Sequence, residues 1–199
     1  MASQASLDEL TPRSRRSRER ILAAARACFE RLGIEAATIV DIAEAANYSR
    51  PIVYKHFSDK ADIVDSVCLE EMQTLRAELR KRVKPDLSYD AQLTESILQA
   101  VILANDNPYI RRFMEDRESW LRSQTIGRKV RDWVRASWEA FIRRGQAAGA
   151  FARDLDLEET VTWIAMNQSQ LLLRYQDEGF DEASMRRFIR RFVVTPLLA

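Results

Sequence analysis

The densest chemistry in the sequence lies between positions 38 and 60. Thr38, Ser49, Arg50, Tyr54, Lys55, His56 and Lys60 stand there, with the apolar residues Ile42, Ala43, Ala46 and Val53 between them. Hydroxyl, phenol and cationic donors suit the oxygens of a phosphate backbone, and the guanidinium of Arg50 suits guanine. Catalysis is disfavoured. His56 is the only histidine, which removes most metal sites built on His clusters and any nucleophilic triad not centred on it. Cys28 and Cys68 fall inside apolar helical patterns and read as buried thiols in a reducing compartment. No metal and no cofactor is expected.

Short helices are needed to position these groups. Thr38-Ile39-Val40-Asp41 reads as a capping-box start. The helix it opens ends near Ala46. Asn47-Tyr48-Ser49 is a tight turn, because Asn tolerates left-handed backbone. Ser49 is placed to cap the next helix, and Pro51 falls in its first turn, where the missing N–H costs nothing. That helix runs to about Phe57. Ile42, Ala43, Ala46, Tyr48 and Val53 take the inward positions, and Ala43 is small where two helices cross closely. This is a helix-turn-helix, whose second helix (residues 50–56) would enter a DNA major groove about 12 Å wide.

The rest of the 199 residues reads as helix without strands. Five Gly and five Pro are too few for many tight turns, and 46% hydrophobic with 31% charged residues is a globular balance. A first helix is expected over residues 14–32, stopped by Gly33. A long fourth helix is expected after a Ser58 cap, and further helices over 88–105, from Asn107-Pro108, over 126–148, from Asp156 to about Gln176, and from Asp181 to Pro196. Residues 120–127 are ambiguous. No apolar run is long enough to span a membrane, and the N-terminus lacks the apolar stretch of a secretory signal. Net charge is +1, so the overall balance says nothing of nucleic acid. Its distribution says more: Arg13, Arg15, Arg16, Arg18 and Arg20 form a basic arm that suits a phosphate backbone, or a solvated terminus.

Residues 20–67 resemble the TetR family of bacterial transcriptional regulators. The resemblance rests on Ile21-Leu22-Ala23-Ala24-Ala25, Phe29, Gly33, Thr38-Ile39, Asp41-Ile42-Ala43, Ala46, Ser49, Val53-Tyr54, His56-Phe57 and Lys60. Asn47 stands where the family usually has Gly, and Pro51-Ile52 where it commonly has Gly-Thr. The resemblance implies an all-α chain: a tail (1–13), a three-helix helix-turn-helix domain (14–57) and a helical-bundle domain for ligand binding and dimerisation (58–199). It implies a cytoplasmic, ligand-responsive repressor that binds a palindromic operator as a homodimer. Thr38, Tyr54, His56 and Lys60 would meet phosphates, while Arg50, Ile52 and Lys55 would read bases, with Ser49 and Pro51 at the helix start. Tyr54 could instead pack between helices, His56 be a surface residue, and Lys55 a general phosphate contact.

For the bundle, the resemblance implies an internal effector pocket. Met72, Ile97, Val101, Phe113, Trp120, Trp133, Trp138, Phe141, Trp163 and Met166 are candidates, suited to a small apolar or aromatic effector. Core packing accounts for them equally well. Asn167, Gln168 and Gln170 interrupt an apolar helix and could anchor a ligand, bond across a dimer or face water. The dimer stripes would be Val161, Ile164, Ala165, Leu172 and Tyr175 with Phe188, Ile189, Phe192 and Val193, which could also close the monomer's own core. Arg111-Arg112 and Arg143-Arg144 read as solvated faces. Two competing classes remain, an all-α enzyme using Cys68 or His56 and a helical protein-interaction adaptor. Neither accounts for the motifs at 38–60.

Overall fold

The computed structural model describes residues 11–107, 109–110, 128–175 and 181–199. Phe113, Trp120, the 120–127 stretch, Pro108, Arg111-Arg112 and Gln176 lie outside them. The described residues fall into two compact units, one within residues 1–71 and 112–131, the other within 72–111 and 132–199.

In the first unit, helix α1 (Pro12–Leu32) begins two residues ahead of expectation. The Thr11 hydroxyl accepts from the Ser14 backbone N–H at 3.3 Å, and Pro12 occupies the first turn. Its stripe of Ile21, Leu22, Ala25, Cys28 and Phe29 is buried, and Gly33 ends it at φ 85°. Helix α2 (Ile39–Ala45) carries the expected capping box: Asp41 N–H donates to Thr38 Oγ1 at 3.2 Å, and Thr38 N–H to Asp41 Oδ2 at 2.8 Å. Asn47 then turns the chain at φ 55°, the one non-glycine with positive φ among the described residues.

Helix α3 (Arg50–His56) follows, with Ser49 at the cap position. The Ser49 side chain makes no capping bond; only its carbonyl is used, accepting from Ile52 N–H at 3.0 Å. Helix α4 (Lys60–Arg82) is capped by Asp59 rather than the expected Ser58. Asp59 Oδ1 accepts from Asp62 N–H at 2.8 Å, and Asp62 Oδ2 takes the Ser58 N–H at 3.0 Å. A carboxylate is the stronger acceptor at a helix start.

The second unit centres on α5 (Tyr89–Asp106) packed against α7 (Leu157–Tyr175) and the C-terminal helix. Leu93, Ile97, Leu98, Ile164, Met185, Ile189 and Val193 are fully buried there. Helix α6 (Arg128–Ala147) belongs to the first unit up to Arg131 and to the second from Asp132. Helix α8 (Glu182–Phe188) runs into a π-helical turn (Ile189–Val194) and a 3-10 turn (Thr195–Leu197). The sequence suggests one face carrying Met185, Phe188, Ile189, Phe192 and Val193. The wide turn breaks that phase: Met185, Ile189, Val193, Val194 and Leu197 go inward, while Phe192 is left 53% exposed. No strand is present among the described residues beyond one isolated bridge, Phe151 to Leu198. No described helix is long and apolar enough to cross a membrane.

Candidate nucleic-acid interface

Helix α3 is held from one side only. Val53 is fully buried, and Phe57, at its end, is 2% exposed. Arg50, Pro51, Ile52, Tyr54 and Lys55 are all exposed. Beside α3, a shallow recess is lined by Glu44, Asn47, Tyr48, Ser49 and Ile52. A helix that buries one apolar edge and presents cations, a phenol and a branched methyl outward can enter a groove, since each exposed group matches a base edge or a phosphate.

Three flanking residues are more constrained than their sequence suggests. The Thr38 hydroxyl is exposed but donates to Asp41 Oδ2 at 2.5 Å, so its proton is already engaged. Lys60 Nζ donates to the Glu35 carbonyl at 2.7 Å, which ties the start of α4 to the loop before α2. His56 is half-buried, and its carbonyl accepts from Arg18 Nη1 at 3.3 Å. Burial, then Arg18 and Lys55, push the imidazole below its ordinary pKa of 6.5, so it stands neutral above that pH.

Arg18 itself departs most from the sequence reading. It does not join a basic arm but turns inward. Its Nη2 donates to Ser66 Oγ at 2.8 Å, and its guanidinium lies 4.2 Å from the Phe57 ring centroid. Burial lowers its pKa, against the pull of Asp62 and Glu70. Arg18, Leu22, Ala25 and Phe29 share one helical stripe in the sequence, a signal that a cation was placed on the apolar face. Arg20 lies 5.1 Å from the centroid of Tyr48, whose hydroxyl donates to Ser17 Oγ at 3.2 Å. Arg13, Arg15 and Arg16 stay exposed.

The buried end of this network was not visible in the sequence. Lys129 Nζ donates to Asp62 Oδ1 and, at 3.4 Å, to Ser66 Oγ. Asp65 lies beside them with Oδ1 buried and unpartnered. Burial raises its pKa, against the backbone N–H groups of Lys129 and Val130. The ionised Asp65 side chain therefore works against folding at neutral pH, and that loss is relieved as pH falls through the raised pKa. Asp65→Asn is expected to leave stability at pH 7 equal or raised and to flatten its dependence on the acid side, read by urea unfolding at several pH values.

In the bundle unit the candidate residues separate. Ile97 and Val101 are core; Met72, Trp133, Trp138 and Phe141 are half-buried. Trp163, Met166 and Gln170 face outward on α7, at 40% and 62% exposure for the first two. The Asn167 amide is turned back on its own helix, donating to the Trp163 carbonyl at 2.8 Å, and Gln168 is half-buried. Val161, Ile164, Leu172, Ile189 and Val193 are buried in the chain's own core, because that face of α7 covers α5 and the terminal helix. Ala165, Tyr175 and Phe188 are half-buried. The outward apolar side chains of these helices are instead Trp163, Met166, Leu173 and Phe192.

Residues 21–67 match the family described as bacterial regulatory proteins, tetR family. The match spans α1 from its first buried residue through the base of α4, and so contains both helices of the motif. Residues 21–67 are therefore a segment of the tetR-family type. The fold agrees over nearly the whole length. The fatty acid degradation regulator FadR from Bacillus halodurans is 15% identical with a TM-score of 0.61, covering 94% of this chain and 96% of that one. A TetR-family transcriptional regulator from Rhodococcus sp. is 22% identical at 0.61, with 92% and 98% covered. FadR from Bacillus subtilis, solved with stearoyl-CoA, is 17% identical at 0.63, with 90% and 98% covered. No curated protein matches the chain. The matched segment contains α2, the Asn47 turn and α3, which form its helix-turn-helix. Arg18 and Lys129 lie outside the segment matched to the family.

Proposed function

We propose that the chain is a cytoplasmic repressor that binds a palindromic operator as a homodimer and is released by a small apolar or aromatic effector. It is a regulator and not an enzyme. The observation that carries the reading is the one-sided burial of α3, which anchors Val53 and Phe57 and leaves Arg50, Ile52, Tyr54 and Lys55 outward. In this reading Arg50, Ile52 and Lys55 meet bases. Thr38, Tyr54, His56 and Lys60 meet phosphates, Thr38 and Lys60 after giving up the bonds described above.

The outward apolar face of α7 and the terminal helix supports the dimer. Trp163 Nε1 donates to the Val193 carbonyl at 3.0 Å, and the Phe188 and Phe192 rings meet at 5.1 Å between centroids, tilted by 45°. With Met166 and Leu173 they form an exposed apolar surface of a kind that marks association. A two-fold pairing there would present two reading helices to successive major grooves.

Fluorescence anisotropy on a palindrome selected from random DNA tests the reading. Arg50→Ala is expected to cost roughly 1–3 kcal/mol and to relax preference at one base pair of each half-site. Lys60→Ala is expected to weaken all sequences alike, lowering the salt slope by about one. A wild-type chain that selects no sequence and shows no salt dependence would remove the proposal. Sedimentation of Phe192→Glu beside wild type reports on the dimer.

A further inference from the structure

Three arginines of the bundle unit are matched with acids. Arg186 Nε reaches Glu95 at 2.5 Å, Arg190 reaches Asp90 at 3.1 Å, and Arg143 reaches Glu139 at 2.9 Å. Arg76 is different. It is half-buried on α4, on the same helical face as Met72 and Leu79, and no carboxylate among the described residues pairs with it. Its Nη2 donates to the Ser137 carbonyl at 2.9 Å, and its guanidinium lies 5.7 Å from the Trp133 ring centroid. Burial lowers its pKa, and Arg80, one turn on, lowers it further. By contrast, the hydrogen bond to Glu95 raises that of Arg186.

A guanidinium carries five N–H donors, and the carbonyl of Ser137 uses one nitrogen. Among the described residues Arg76 makes no further hydrogen bond, and the side chain is only half-buried. Withdrawing a cation partly from water without an anion is unfavourable, and a bound anion would relieve it. Apolar residues adjoin it along the two helices: Met72, Leu75 and Leu79 on α4, and Trp133, Val134 and Trp138 on α6, are all half-buried, and of these Trp133 meets the guanidinium. One planar cation set in an apolar, aromatic wall fits a ligand with a hydrocarbon or aryl body and one planar anionic end. The guanidinium fork matches a carboxylate in two parallel hydrogen bonds.

We propose that Arg76 is the anion anchor of the effector site and that the effector is an amphipathic carboxylic acid, with its carboxylate on Arg76 and its apolar body against Trp133. The proposal rests on the effector reading given above and adds the chemical class.

The test uses the full chain and two acids, octanoate and 4-phenylbutyrate, each beside its primary amide. Binding is followed by calorimetry and by tryptophan fluorescence, in wild type, Arg76→Gln and Arg76→Lys. In wild type the acids are expected to bind roughly 10- to 100-fold more tightly than the amides. Arg76→Gln should make acid and amide equal while leaving amide binding in place. Arg76→Lys should keep part of the preference, since a point charge remains without the fork. Equal affinity of acid and amide in wild type overturns the role of Arg76 and leaves the bundle standing as an effector site, as does a preference that survives in Arg76→Gln. Binding of none of the four probes at millimolar concentration overturns both. Circular dichroism confirms that the variants keep their helices. If Arg76→Gln loses them, the wild-type preference and its reduction in Arg76→Lys decide.

Discussion

Arg18→Ala is expected to destabilise the DNA-binding unit by roughly 3 kcal/mol, although the side chain points away from the reading face. Hydrogen bonds made by a charged group contribute about 1.5–3 kcal/mol. Arg18 makes two, to Ser66 Oγ and the His56 carbonyl, and adds a cation–π contact with Phe57 of about 1 kcal/mol. Partial solvation of the group trims the sum. Removing the guanidinium also leaves Lys129 as the remaining donor to Ser66 Oγ, and frees the end of α3 where Phe57 is clamped. DNA affinity should fall with stability, because α3 is presented correctly only while Phe57 is seated. Arg18→Lys should lose about half as much, keeping charge but not the two-pronged geometry. Urea unfolding by far-UV circular dichroism gives the stability, and anisotropy on the selected palindrome gives the affinity. A variant as stable as wild type would show that the inward geometry contributes nothing.

Gly145→Ala is expected to be the most harmful small substitution in the bundle unit, at roughly 2–3 kcal/mol. Alanine is ordinarily the better helix former by about 1 kcal/mol. Here its Cβ would lie 2.1 Å from Cδ2 and 2.3 Å from Cε2 of Phe151. Phe151 cannot step aside: it is fully buried, ringed by Tyr89 at 6.0 Å and Phe141 at 5.7 Å, and bridged through its backbone to Leu198. The Gly145 carbonyl also accepts from Ala150 N–H at 2.8 Å, so the turn is folded tightly over this position. Thermal melting should show a midpoint lower by roughly 4–10 °C. An unchanged or raised midpoint would mean that the ring has room to move.

The helix-turn-helix was legible because its signals are local. Thr38 and Asp41 cap within one turn, Asn47 takes the left-handed turn alone, and Pro51 fixes a first turn. The inward Arg18 was obscured by an assumption that arginine clusters are solvated, although its position on the Leu22 and Phe29 stripe marked it. The phase of α7 could not be read. Trp163, Ile164, Met166 and Leu171 to Leu173 place apolar groups around most of the helix, so periodicity alone does not say which side meets α5. The π-helical turn at Ile189–Val194 adds a residue with no local signature, and Phe192 moves outward as a result. Core and pocket lining draw on the same apolar residues, so Ile97 in the core and Trp133 beside Arg76 carry no distinguishing mark.

The lone imidazole sits at the junction between α3 and α4, within reach of the Arg18 and Lys55 charges. Its Cε1 proton therefore offers an unlabelled magnetic-resonance beacon for this junction, free of overlap from any sister ring. Acid titration of that single signal would report whether the clamp is shut, loosened by a substitution, or altered when a duplex is added.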